Sequence, residues 1–399
     1  MDDIIKTVLD FMSGVKVPQR NFLLSLFTSL SCIVGRANYR NLSRHSGFCE
    51  HTYSRWYNRE FDYAMLNRLL IEKELGKTGE KIGAIDATFL KKSGKCTEGL
   101  GMFWNGALGK SSRGLEVSTV AVIDLQSHTA YGLDSRMTQS GDDDCESRTI
   151  QYGKQVKELK EHLKSLRVRY LTTDAYYSKH EFTKTVIGAG LHQIGKLRHD
   201  AYLLWPYQGK SSGRGRPKKY AGIAGTKGEL KGWKFIATLE DETLVYEGVV
   251  WSRALKSWVK VVIMRREEKG KQLQALLFST DVELPALTII EYYKLRFQIE
   301  FLFRDAKQHT GLGDCQGRKA IAQQNAANAS ITTLNLLKLE DRRAADTPEK
   351  TVISIESWKR RKANQQLMNL IFDTLEIDRT DKKVARTYEE FSNFGCIAA

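Results

Sequence analysis

Residues able to do chemistry concentrate in one stretch, Glu291 to His309, which reads EYYKLRFQIEFLFRDAKQH. On an α-helix at roughly 100° per residue, Leu295, Ile299, Leu302 and Ala306 form an apolar stripe. Tyr293, Arg296, Glu300 and Lys307 fall together on the opposite side, so a phenol, two cations and a carboxylate share one line. A plain solvated face would carry charges too, but here the chain upstream adds carboxylates in a compatible setting. Ile82 to Leu90, IGAIDATFL, is a β-prone apolar run broken by Asp86, and an acid there is costly unless paired, protonated or bound to a cation. Asp174 stands where the strand Val168–Thr173 stops and the next helix approaches. Ligands bind at that edge of α/β sheets, although the same position also suits a helix cap.

The spacing Tyr293-x2-Arg296-x3-Glu300-x6-Lys307 resembles the Y-(2)-R-(3)-E-(6)-K signature of DDE-type bacterial insertion-sequence transposases, the IS-four-like group. The likeness spans roughly residues 80 to 315. It implies a ribonuclease-H-like core in which Asp86, Asp174 and Glu300 are the catalytic metal ligands, and two Mg2+ ions (Mn2+ may substitute) as cofactors. Phosphodiester cleavage puts negative charge on attacking and leaving oxygens; two divalent cations about 4 Å apart can hold both, and they favour carboxylate ligands. The resemblance makes Tyr293, Arg296 and Lys307 contacts to the DNA backbone. Arg296 can fork onto a phosphate, Lys307 is a point charge and Tyr293 a hydrogen-bond donor. Some relatives stack a Trp from the strand before the Glu helix on a flipped base; Ala275 occupies that place here. Trp233, Trp251 and Trp258 are the substitute stacking candidates, with ordinary core packing as their alternative.

The elements that must position these groups give the fold class α/β: a ribonuclease-H-like catalytic core interrupted by a β-rich insertion, with helical amino- and carboxyl-terminal regions. Residues 1–78 read as helical, and 38–57 suggests a helix-turn-helix turning at Gly47, whose second helix offers His51, Thr52, Ser54 and Arg55 to DNA. Residues 79–197 and 271–318 form the core and 198–270 the insertion. Ahead of the insertion's strands lies Gly213-Arg214-Gly215-Arg216-Pro217-Lys218-Lys219, read first as a phosphate clamp, then as a solvated loop, then as a minor-groove hook. The run GDDDCE at 141–146 reads as a solvated loop, and 319–399 as a helical region suited to dimerisation.

Composition fits the same picture. Lys plus Arg number 62 against 47 for Asp plus Glu, a formal charge of +15, which points to a polyanion and to nucleic acid before membrane. The six cysteines form no C-x-x-C pair, so neither a zinc site nor a disulfide scaffold is suggested. Without a signal-peptide pattern or a membrane-length apolar run, the expectation is a bacterial cytoplasmic, nucleoid-associated protein with no membrane partner. Its partners would be double-stranded DNA, at the inverted-repeat ends and the target, and a second copy in a homodimer assembled on DNA. The function expected is metal-dependent DNA cleavage and strand transfer. The alternatives are a nuclease without strand transfer and a transposase-derived DNA-binding regulator without catalysis.

Overall fold

The computed structural model describes residues 2–76, 79–140, 146–209, 217–344 and 353–397. The chain opens with α1 (Asp2–Phe11), α2 (Val17–Cys32), α3 (Tyr39–Arg44), α4 (Glu50–Tyr57) and α5 (Tyr63–Leu75). Then come β1 (Lys81–Lys91), β2 (Gly101–Asn105), β3 (Lys110–Asp124) and β4 (Thr129–Met137). The alternation α6 (Arg148–Glu158), α7 (Lys160–Ser165), β5 (Tyr170–Thr173), α8 (His180–Gly188) and β6 (His192–Leu197) follows. A run of strands comes next: β7 (Leu203–Pro206), β8 (Tyr220–Ile223), β9 (Lys234–Thr238), β10 (Leu244–Ser252), β11 (Ser257–Glu268) and β12 (Lys271–Ser279). The chain ends with α9 (Ala286–Leu295), α10 (Gln298–Asp305), α11 (Ala320–Ala344), α12 (Ile355–Thr374) and α13 (Lys382–Ser392). The protein is therefore mixed α/β, with a large mixed sheet and helical terminal regions. No helix among the described residues is long and apolar enough to cross a membrane.

Two compact units divide the chain. One gathers Met1–Gly79, Ala87–Cys145 and Glu300–Ala399, and the other gathers Glu80–Asp86 and Glu146–Ile299. In the second unit the strands run in the order β1-β5-β6-β12-β11-β10-β7-β8, with β9 on β10. β5 is parallel to β1 and to β6, whereas β12, β11 and β10 pair antiparallel. The insertion's strands extend this sheet. β11 and β12 form one hairpin, turned at Lys269 (φ 51) and Gly270 (φ 71). Two successive left-handed residues match the twist of a tight antiparallel hairpin. The short strands β7 and β8 flank the basic, glycine-broken loop, where the sequence shows no period-2 pattern.

In the first unit, α3 and α4 form the helix pair expected around Gly47, with Asn38 capping α3 by accepting from the Asn41 N–H at 2.9 Å. Its centre is α11, seventeen of whose side chains are buried from Ala322 to Glu340. β4 pairs with β3 along one edge, and α11 closes the other with side-chain amides. Asn335 donates to the Gly132 carbonyl at 2.7 Å and accepts from its N–H at 2.9 Å. Asn328, two helical turns earlier, makes the same pair of bonds with Ser135 at 2.7 and 2.9 Å. Asn67 of α5 joins in, donating to the Leu133 carbonyl at 3.1 Å and accepting from Asn335 at 3.0 Å. These amides imitate a missing strand, so the edge leaves its backbone groups satisfied. Close approach is essential, because a Cβ on Gly132 would sit 2.1 Å from Ile331.

Asn335→Leu should therefore lower stability by about 2–4 kcal/mol, because two buried backbone groups lose their partners; urea unfolding measures it. Lys338 lies on the same face and donates to the Ala130 carbonyl at 3.0 Å. Burial pushes its pKa down from 10.5 to about 8. Between those values the unfolded chain holds a proton that the folded chain has shed, so stability rises with pH through this window. The slope is at most about 1.4 kcal/mol per pH unit. Lys338→Met should remove that component from denaturation curves taken from pH 8 to 10.5.

Candidate active site

Burial and register fix two of the acids in the second unit. The first half of β1, Lys81–Ile85, is buried on both faces, as expected of a strand with parallel neighbours. Gly83, Ala84 and Ile85 pair with Leu171, Thr172 and Thr173 of β5. Asp86 and Asp174 each follow the last residue of the β1–β5 pairing, so the register sets them side by side where that pairing ends; Asp174 comes just after β5, whereas β1 continues past Asp86 to Lys91. Gly83 permits the approach, since an added Cβ would lie 3.0 Å from a methyl of Leu171. The Thr172 hydroxyl donates to the Gly83 carbonyl at 2.9 Å and cross-links the strands a second time.

A buried polar network holds the end of β5. Gln193 donates through Nε2 to the Thr173 hydroxyl at 2.9 Å and accepts from the Thr183 hydroxyl at 2.7 Å. One carboxylate oxygen of Asp174 accepts from the Ala175 N–H at 2.6 Å and opens a single 3-10 turn, Ala175–Tyr177. The cap foreseen as an alternative is thus real, yet it uses one oxygen, and no other hydrogen bond reaches this side chain among the described residues.

α9 runs into the site and is held at both ends. The Tyr292 hydroxyl donates to Glu80 at 2.6 Å, and its ring lies 5.5 Å from that of Tyr170. Burial, then a hydrogen bond to Asp281, raises the Tyr170 phenol to about 12. At the other end Arg296 Nη1 stands 3.4 Å from Asp86 Oδ2, with the two side chains 13 % and 23 % exposed. The guanidinium also lies 5.9 Å from the Tyr293 ring centre. Residues 291–309 do not form the single straight helix expected. Three-residue bonds from Arg296 to Tyr293, Phe297 to Lys294 and Ile299 to Arg296 tighten the chain between α9 and α10, and a π-turn covers Ala306–Thr310. The four signature residues therefore do not follow one uniform 100° helix. The apolar stripe persists, with Leu295, Ile299, Leu302 and Ala306 all buried.

Glu300, in the first turn of α10, and Lys307 belong to the first unit. Lys307 donates to the Thr88 hydroxyl at 2.7 Å and the Phe89 carbonyl at 3.0 Å, both in the second half of β1. Desolvation at that contact lowers the pKa of its ammonium. Of the basic candidates, Arg55 is exposed on α4, and Lys219 is exposed before β8. Lys218 lies 5.1 Å from the Tyr207 ring centre. Arg214, Arg216 and most of the 141–146 acidic run fall outside the described residues. Among the stacking candidates, Trp233 is 7 % exposed within a core cluster and donates to the Gly225 carbonyl at 2.8 Å. Trp251 and Trp258 are cross-strand partners, their ring centres 5.5 Å apart beside Tyr220. Sequence reasoning missed the Thr173–Gln193–Thr183 network, which no short motif announces.

Two carboxylates at the point where two neighbouring parallel strands stop pairing, one of them beside an arginine, make a site able to hold a cation and meet a phosphate. Residues 77–336 match the transposase DDE domain family, and the chain belongs to that family. Membership implies an enzyme that cleaves DNA and transfers strands. No curated protein matches the chain. Among solved structures, the crystal structure of endonuclease V from Bacillus subtilis is similar at 10% identity, covering 71% of this chain and 96% of that one. Its TM-score of 0.26 is too low to bear on fold or function. Transposases of this family generally use divalent metal ions. The hard oxygens of Asp86 and Asp174 suit such an ion, while no group of three or more His, Cys, Asp or Glu forms a ready metal site among the described residues.

Replacing Arg296 by Gln removes the cation beside Asp86. The variant should lose about 1–2 kcal/mol of stability, a figure discounted for partial exposure. Added Mn2+ should raise its melting temperature more than that of the wild type. Equal shifts in a thermal unfolding assay would show that the acids do not share a cation site.

Proposed function

We propose that the protein is a DDE transposase that binds the inverted-repeat ends of its own insertion sequence, cuts there and joins the freed ends to target DNA. The observation that carries this reading is the β1–β5 register, which sets Asp86 beside Asp174, in a chain whose family is defined by such acids. Glu300, four residues after the arginine that touches Asp86, completes the set in this reading, and the YREK spacing supports membership of the IS-four-like group. Residues 79–197 and 271–318 form a ribonuclease-H-like core in this reading, with 198–270 as its insertion.

In the cutting step a water oxygen attacks phosphorus and a 3′-oxygen leaves, taking a proton to become a hydroxyl. In the joining step that hydroxyl attacks a target phosphodiester and displaces the target's own 3′-oxygen. Two divalent ions bound by Asp86, Asp174 and Glu300 would supply stabilisation of the charge on the attacking and leaving oxygens. Arg296, Tyr293 and Lys307 contact the DNA backbone near the scissile phosphate in this reading. Arg55 on α4 and the clamp of Arg214, Arg216, Lys218 and Lys219 hold the flanking DNA, and 319–399 pairs two copies so that both ends are cut together.

The test uses a labelled duplex carrying the inverted repeats that flank the gene, with Mg2+ and a supercoiled plasmid. Wild-type protein should nick the repeat to leave a 3′-hydroxyl and then yield joined products. Asp86→Asn, Asp174→Asn and Glu300→Gln should each slow cleavage by about 1000-fold or more, while affinity for the repeat stays within about threefold. Cleavage without joined products would make the protein a nuclease. Undiminished cleavage by all three variants would remove the acids from the mechanism.

A further inference from the structure

The β2–β3 ribbon of the first unit carries an exposed surface that the proposed chemistry does not use. Gly101 pairs with Gly114, Met102 with Arg113, Phe103 with Ser112, Trp104 with Ser111 and Asn105 with Lys110. Opposed residues share a face of a ribbon, and alternate residues along one strand do too. Met102, Trp104, Ser111 and Arg113 therefore lie on one face, and Phe103 points to the other. Phe103 is fully buried, whereas Met102 is 58 % and Trp104 59 % exposed, with Leu108 in the connecting turn at 60 %. The root of the ribbon is tightly seated: a Cβ on Gly114 would sit 2.5 Å from the Leu90 carbonyl, and one on Gly101 would overlap Ser140. The tip is thus a firmly mounted projection bearing an indole with no hydrogen bond or ring contact among the described residues.

An exposed tryptophan, an exposed methionine and an exposed leucine form an apolar surface of the kind a soluble chain covers with a partner. The charge around it selects the partner. Arg113 stands directly across from Met102, on the face that carries Trp104, and is exposed without an ion pair among the described residues. Aromatic faces rimmed by cations suit nucleic acid, because every base has a stackable face and every nucleotide a phosphate. We infer that the β2–β3 ribbon docks DNA by stacking Trp104 on an exposed base, one at a duplex end or in an unpaired strand, with Arg113 on an adjoining phosphate. The inference rests on the reading of this chain as a protein that acts on DNA ends.

Three fluorescent probes test it with the full-length protein in anisotropy titrations: a single-stranded oligonucleotide, an open blunt duplex, and the same duplex closed into a dumbbell by loops too short to expose a base. Trp104→Ala should weaken binding to the first two by about tenfold and leave the dumbbell unchanged. Trp104→Tyr should restore most of the affinity, and Trp104→Leu should not, because stacking needs a ring rather than bulk. Arg113→Ala should lower the slope of log affinity against log salt by about one. An unchanged melting temperature for each variant shows that the fold is intact, as expected for exposed side chains. Equal loss on all three probes, or none on any, overturns the inference while leaving the DNA-binding reading in place. So does a Trp104→Ala variant that keeps its DNA affinity but loses self-association in sedimentation, since a second copy would then cover the face. Wild-type protein that binds none of the probes defeats both readings.

Discussion

The parallel pairing of β1 with β5 is the constraint from which the site follows. Two acids 88 residues apart can be neighbours only if their strands lie side by side in one register. A slip by a single residue would turn Asp86 to the opposite face of the sheet. Several features guard against that slip. Gly83 lets β5 approach, Thr172 ties itself to the Gly83 carbonyl, and Gln193 clamps Thr173 immediately ahead of Asp174. The register has no tight turn to set it, because the two strands are joined through the rest of β1, three further strands and two helices. Side-chain contacts do the work that a hairpin loop does elsewhere in this chain, as at Lys269–Gly270.

Much of this was legible in the sequence, for identifiable reasons. An aspartate inside a β-prone apolar run and another at the end of a short strand are local signals, and both strands form where the pattern puts them. The apolar stripe of 295–306 survives because burial depends on which residues are apolar, and that is written in their identities. The straightness of the helix was not legible. A tightened turn at Arg296–Phe297 and a π-turn at Ala306–Thr310 keep the stripe buried while moving the polar residues off a common line, and residue type alone does not report either. β7 and β8 were missed because each is four residues long and bounds a glycine- and lysine-rich loop, too short for a period of two to show. The exposure of Trp104 was equally silent, since the identity of a residue says nothing of what the tertiary fold leaves uncovered.

The structure also shows why its basic excess is not spread evenly over roles. Several cations serve the fold itself. Lys338 is buried on the Ala130 carbonyl, and Arg342 pairs with the buried Asp124 at 2.9 Å. A count of charges overstates the surface available to a polyanion, and it is position that separates a structural lysine from one that can meet phosphate. Arg113 differs from these in standing open on the ribbon face that carries the exposed Trp104 ring.

Buried polar groups in the two units make a final contrast, and it bears on where function lies. The amide of Asn335 is saturated: it bonds the Gly132 N–H, the Gly132 carbonyl and Asn67. Asn328 is engaged in the same way. Groups so satisfied contribute to a unique packing and have nothing left to offer a ligand. At the strand ends the accounting differs. Asp174 spends one oxygen on its cap and keeps the other, and Asp86 faces a guanidinium at 3.4 Å, a long contact for a charge-assisted bond. Two carboxylates set side by side by a parallel register are costly for stability alone. The side-by-side placing of these acids by the β1–β5 register is the feature on which the proposed cation site rests.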